Sequence, residues 1–344
     1  AGPTTGCSRA EVALPSTTLD TTARTAARRR IDAMRARGTT AMAEGLRLGV
    51  LEVMNHHDPA GINRVVLLGD GVPNERAGIE DTAASAGARG VTITALGLGL
   101  DYDETLMGAI AQRSGGRFHY VEDSSAVAQL FREEVLRMER VVARNAVAVL
   151  TPGPGVEVQN VVGVEATRTD AGIVISLGDV TEGAARDLIV RMKAPSRRNG
   201  ASVELLDVSL GYDDAVAGAG HVERRTFLGA RASSSADERA TGRNEDVERT
   251  AARAQLAAGT LAAIRDARTG DVAQAQAHLD SVLDAARECA RRDRDGELER
   301  RVASLRGLRG ALPSVAPSTT APEAAPAAAV RVAHSEALSA LSGE

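Results

Sequence analysis

Asp70 is the residue in this 344-residue chain best placed to do chemistry, set in the run Val65-Val66-Leu67-Leu68-Gly69-Asp70-Gly71-Val72-Pro73-Asn74. The apolar residues read as a buried strand, and Gly71 and Pro73 force a tight loop directly after it. A carboxylate delivered to the carboxyl end of such a strand faces the edge where open α/β sheets hold ligands. A strand-end Asp before Gly also caps its own turn, so Asp70 alone decides nothing. The second candidate is Thr40, in Arg37-Gly38-Thr39-Thr40-Ala41-Met42-Ala43-Glu44-Gly45-Leu46, a run that opens a helix. Thr in that position ordinarily caps the helix, so Thr40 alone decides nothing either.

Other candidates have simpler explanations. His56-His57-Asp58 has metal-ligating residue types, but Pro59 and Gly61 make it a solvated loop. Asp101, Asp103 and Glu104 could bind Ca²⁺, whereas Asp103 is better explained as a helix N-cap with an acid in the first turn behind it. Gly97-x-Gly99 is too short for a dinucleotide fingerprint. Arg28-Arg29-Arg30 reads as a solvated helix face. Cys7 and Cys289 match neither a zinc spacing nor a disulfide framework and read as two unrelated thiols. Spacing alone supports no Ser-His-Asp or Cys-His arrangement.

The elements that position these residues alternate through the first part of the chain. Arg64–Leu68, Val91–Leu96 and Phe118–Val121 read as buried strands, with helical patterns at Thr18–Arg37, Ala41–Asn55, Ile79–Ala88, Asp103–Arg113 and Ser125–Arg140. Strand and helix in alternation predict a doubly wound, mostly parallel α/β sheet with helices on both faces over residues 1–143. From residue 144 to 231 the rhythm changes to six short runs of period two, which predict an antiparallel β-sandwich: Ala146–Leu150, Val156–Val162, Ile173–Leu177, Leu188–Met192, Val203–Leu210 and Val222–Phe227. Residues 232–243 read as a polar linker. Residues 244–312 predict an α-helical hairpin, broken at Thr269-Gly270-Asp271, with a third helix around Glu297–Leu308. Residues 313–344 are expected to be a disordered Pro/Ala-rich tail with a short helix over Val330–Leu341.

The runs around Thr40 and Asp70 resemble the second and third motifs of the von Willebrand factor type A (VWA) family, in its bacterial form. Gly-Thr-Thr-x-Met-x-x-Gly-Leu is similar to that family's Gly-Gly-Thr-x-Leu-x-x-Gly-Leu, with Thr39 in the second Gly position and Thr40 matching the metal-site Thr. Asp70 matches the metal-site Asp of Leu-Leu-x-Asp-Gly-x-Pro-Asn. The likeness continues through Ile93–Glu104 and Leu106–Tyr120, with Ser114-Gly115-Gly116-Arg117-Phe118, and covers about residues 10–140. It implies a metal-ion-dependent adhesion site for Mg²⁺, with Mn²⁺ or Ca²⁺ as alternatives, whose open position takes a carboxylate from a protein partner. The family's first motif, Asp-x-Ser-x-Ser, does not precede Gly38. The segment Glu11-Val12-Ala13-Leu14-Pro15 resembles a later strand, so the first strand and helix are read as missing. The metal site is then partial and its ion weakly held.

Composition narrows the classes. A formal charge of −5 with 41 Lys and Arg mixed among 46 Asp and Glu argues against nucleic acid as a partner. Aromatics are only 2%, so cores must be aliphatic. No stretch approaches the ~20 apolar residues of a membrane span. The chain starts at Ala1 without a recognisable signal peptide, and localisation stays open. The leading expectation is a protein-interaction module, for adhesion or scaffolding, and not an enzyme. The alternatives are an accessory subunit of an ATPase-driven, chelatase-like assembly, and a metal-dependent hydrolase using Asp70.

Overall fold

The computed structural model describes residues 10–35, 40–99, 101–317 and 324–342, in two units, Ala1–Arg132 and Glu133–Glu344. Cys7, Gly38 and Thr39 lie outside the described residues. The first unit runs through α1 (Thr21–Ala33), α2 (Met42–Asn55), β1 (Asn63–Gly69), α3 (Ile79–Gly87), β2 (Val91–Leu98), α4 (Glu104–Ser114) and β3 (Phe118–Val121). Helix α5 (Val127–Met138) leads into the second unit.

The three strands pair in parallel in the order β1-β2-β3, with Asn63 opposite Val91 and Ala95 opposite Phe118. Parallel strands need a crossover, and α3 and α4 supply it. Ile79, Ala83 and Ala86 of α3 and Leu106, Met107, Ile110 and Ala111 of α4 are buried, the spacing of single helical faces. Strand β2 is buried on both faces, since Val91 to Gly97 are all buried, Thr92 and Thr94 included. β1 lies at the sheet edge, and its Leu68 is 45% exposed.

Glu11–Pro15, expected as a strand, forms none. The Ala10 amide instead donates to the Glu44 carboxylate at 3.0 Å, Ser16 donates to Glu52 at 2.6 Å, and the Arg30 guanidinium donates to the Ala13 carbonyl. Carboxylates on α2 thus hold the segment at both of its ends through charge-assisted bonds, and Pro15 has no amide to give to a strand ladder. Helix α1 has no buried residue.

The second unit contains β4 (Val141–Pro152), β5 (Glu157–Val161), β6 (Thr167–Thr169), β7 (Gly172–Thr181), β8 (Val190–Lys193), β9 (Ser202–Asp214) and β10 (His221–Arg231). They form two antiparallel sheets, β10-β9-β4-β7-β6 and β5-β8. One core draws on both, with Ala148, Leu150, Ile173, Ile175 and Leu206 from the larger sheet and Val158 and Val161 from the smaller. A bulge in β4 places Asn145 at φ 53, where its side chain donates to Asp213 at 2.9 Å.

Residues 232–243, expected as a linker, include the short helix α6 (Ala236–Thr241), capped by Ser235. Helices α7 (Glu245–Arg268), α8 (Val272–Asp293), α9 (Gly296–Ser304), α10 (Leu308–Ala311) and α11 (Ala324–Ser342) complete the chain. Asp271 caps α8 through the Gln274 amide, as Asp295 caps α9 through Glu297 and Leu298. The short helix expected over Val330–Leu341 is longer, Ala324–Ser342, and begins within the stretch expected to be disordered. Composition there is poor in large apolar groups, but Ala327, Val330, Ala333, Ala337, Leu338 and Leu341 fall on one side of α11 and are buried, several of them against α7. No described helix is long and apolar enough to cross a membrane.

Candidate functional site

Because β1, β2 and β3 run parallel, their carboxyl ends at Gly69, Leu98 and Val121 share one edge. Asp70 follows β1 on that edge and is exposed. Helix α2 begins beside it: a Cβ on Gly69 would lie 3.2 Å from Met42 Cε and 3.3 Å from Met107 Cε, so glycine lets both methionines close over the strand end. Thr40 immediately precedes this helix, and its carbonyl accepts the Asn74 amide at 3.1 Å. Its Oγ1 would be only 3.1 Å from a Cβ at Gly71. The structure therefore brings Thr40 onto the loop that starts with Asp70.

The simpler readings of the two residues can be checked directly. The N-cap of α2 is Ala41, and no side chain makes a capping bond there, so the Thr40 hydroxyl is not used as a cap. Asp58 and Asp123 close turns on their own backbones, accepting from Ala60 at 2.9 Å and Ser125 at 2.7 Å. Asp70 makes no such bond among the described residues. In Asp123, at the end of β3, the bonds from the Ser125 hydroxyl and amide hold the carboxyl below its ordinary range.

The loop bearing Asp70 is pinned again further along. Arg76 pairs with Asp103 at 2.7 Å, and the Asp103 side chain, 3% exposed, also caps α4 by accepting the Leu106 amide at 3.0 Å. Asp103 thus ties the loop after β1 to the helix after β2. Tyr102 lies across Gly97, where a Cβ would come within 2.2 Å of the ring, and its centroid is 6.2 Å from Phe118 and 6.4 Å from Tyr120. Three of the six aromatic residues of the chain are gathered in this one cluster. The cap role of Asp103 was readable from spacing, whereas its pairing with Arg76 and the ring cluster are long-range and had no local signal.

Thr40 and Asp70 together offer one hydroxyl and one carboxylate, both hard oxygen donors of the type Mg²⁺ prefers. Among the described residues no group of three or more His, Cys, Asp or Glu could hold a metal ion. Elsewhere, His56 Nδ1 lies 3.0 Å from the Glu52 carbonyl, within a loop closed by Asp58 and Asn63. Cys289 is half-buried, its thiol donates to Asp293, and burial raises its pKa.

Residues 7–133 match the sequence model of the von Willebrand factor type A domain. An uncharacterized protein of Synechocystis sp. is 28% identical over 202 residues, 55% of this chain and 47% of its own length, so the chain spans about half of that relative. A solved von Willebrand factor type A protein from Catenulispora acidiphila is 22% identical with a TM-score of 0.64, covering 84% of this chain and 68% of its own. The ArnB paralog VWA2 from Sulfolobus acidocaldarius is 17% identical with a TM-score of 0.55, covering 90% and 72%. At these identities the solved structures show the fold.

Proposed function

Since residues 7–133 form a von Willebrand factor type A domain, a fold generally used to bind other proteins, we propose that this chain holds a partner protein at the carboxyl edge of its parallel sheet. The observation that carries the proposal is the placement of Thr40 beside the Asp70 loop, with neither side chain spent on a cap or a turn. Thr40 Oγ1 and an Asp70 carboxylate oxygen would hold a divalent cation such as Mg²⁺, which would present an open position to a partner's carboxylate. Two protein ligands replace little of the hydrated ion's own shell, so binding is weak in the chain alone and gains from the partner's oxygens. The rest of the edge sets the geometry: Arg76 and Asp103 hold the loop, and the Tyr102 cluster stiffens what lies beneath.

Calorimetric titration with Mg²⁺ and Mn²⁺ tests this. Asp70→Ala removes the charged ligand and should abolish the heat of binding. Thr40→Ala removes a neutral oxygen and should cost about fivefold, equivalent to about 1 kcal/mol. Binding that is unchanged in Asp70→Ala would place the ion elsewhere and reject the proposal.

A further inference from the structure

The helical region of the second unit contains a cleft of about 570 Å³ between α7, α9 and α11, within the size range of small-molecule sites. Its floor is apolar and short-chained: Leu256 and Ala257 on α7 and Ala333 and Ala337 on α11 are all buried. The buried Thr260 hydroxyl beside them already donates to the Leu256 carbonyl at 2.8 Å, so it makes no demand on a ligand.

The charges around the cleft separate into two sets. Arg253 gives its guanidinium to Asp295 at 2.8 Å and to Glu297 at 2.8 Å, and Arg301 shares Glu297 at 3.4 Å. Two cations thus meet two carboxylates and are neutralised. Arg300 on α9 and Glu336 on α11 are exposed and, among the described residues, have no ion-pair partner. One cation and one anion on different helices therefore border the apolar floor. A simple anion would meet Glu336 and a simple cation would meet Arg300, while a neutral lipid would desolvate both without pairing either. A zwitterion with a small apolar body satisfies all three features.

We propose that this cleft binds a short apolar peptide with free termini, its carboxylate on Arg300, its ammonium on Glu336 and its side chains on Leu256, Ala257, Ala333 and Ala337. The site is independent of the Asp70 edge.

The test is calorimetric titration of the whole chain with the tripeptide Ala-Leu-Ala, with its N-acetylated form and with its C-amidated form, in a chelator that strips any ion from the Asp70 edge. The free tripeptide should bind about three- to fivefold more tightly than either blocked form, the range of partly exposed ion pairs. Arg300→Ala should lose discrimination against the amide and keep it against the acetyl form, and Glu336→Ala should do the reverse. Both positions are exposed, and circular dichroism verifies that each variant is folded. Equal binding of the three peptides, no binding of any, or unchanged discrimination in either variant would overturn the proposal.

Discussion

Neither the Asp70 carboxylate nor the Thr40 hydroxyl is bonded to a backbone amide among the described residues. By contrast, Asp20, Asp103, Asp271 and Asp295 all cap helices, and Asp58 and Asp123 close turns. The apolar run before Asp70 and the helix opening after Thr40 made both residues candidates from sequence, and the resemblance to the family's motifs matched them to its metal site. The Arg76–Asp103 pair was not legible, because nothing in local spacing tells a buried cap which distant cation it will meet. That pair yields a prediction at the same scale. Arg76→Ala leaves the Asp103 carboxylate, 3% exposed, without its cation, although the Leu106 amide remains. The cost should be about 1–3 kcal/mol in urea unfolding, with Asp103→Asn in the same background recovering part of it by removing the charge. A change below about 0.5 kcal/mol would show that solvent replaces Arg76 at no cost.

Among the elements, those with strong periodicity were readable and those defined by their neighbours were not. β1, β2 and β3 follow their apolar runs closely. Glu11–Pro15 has a strand-like composition, but the amides on either side of it, of Ala10 and Ser16, are taken by Glu44 and Glu52, helix side chains far away in sequence. Helix α11 was underestimated because small residues bury an adequate face only when another helix lies close, as α7 does. The start of α9 carries a testable electrostatic consequence. Burial opposes ionisation of Asp295, but the Leu298 amide and the Arg253 guanidinium outweigh it and hold the carboxyl below its ordinary range. A depressed carboxylate stabilises the fold fully above its unfolded pKa and loses that contribution as pH falls through the folded value. Asp295→Asn keeps a good cap but loses the charge, so it should be less stable than the wild type by about 1–2 kcal/mol near neutral pH. That gap should narrow as pH falls through and below the ordinary Asp range. A gap that stays constant down to about pH 3 would mean that the Arg253 pairing adds nothing.

For the molecule as a whole, the von Willebrand factor type A match ends at residue 133, yet likeness to the Catenulispora acidiphila structure extends over 84% of the chain. The antiparallel sheets and the helical region therefore recur with this domain type. Their order was legible because the hydrophobic period changes from runs flanked by helices to alternation and then to helical spacing. The cleft between α7, α9 and α11 was not, since it depends on three helices separated in sequence. The central claim, that an ion is held where Thr40 meets the Asp70 loop, is tested most directly by Mn²⁺ titration followed by amide NMR line broadening. The ion should broaden Gly71 and the first turn of α2, starting at Met42, and Asp70→Ala should restore those signals. Broadening centred on His56–Asp58 or on Asp213 and His221, or broadening at Gly71 that survives Asp70→Ala, would contradict it.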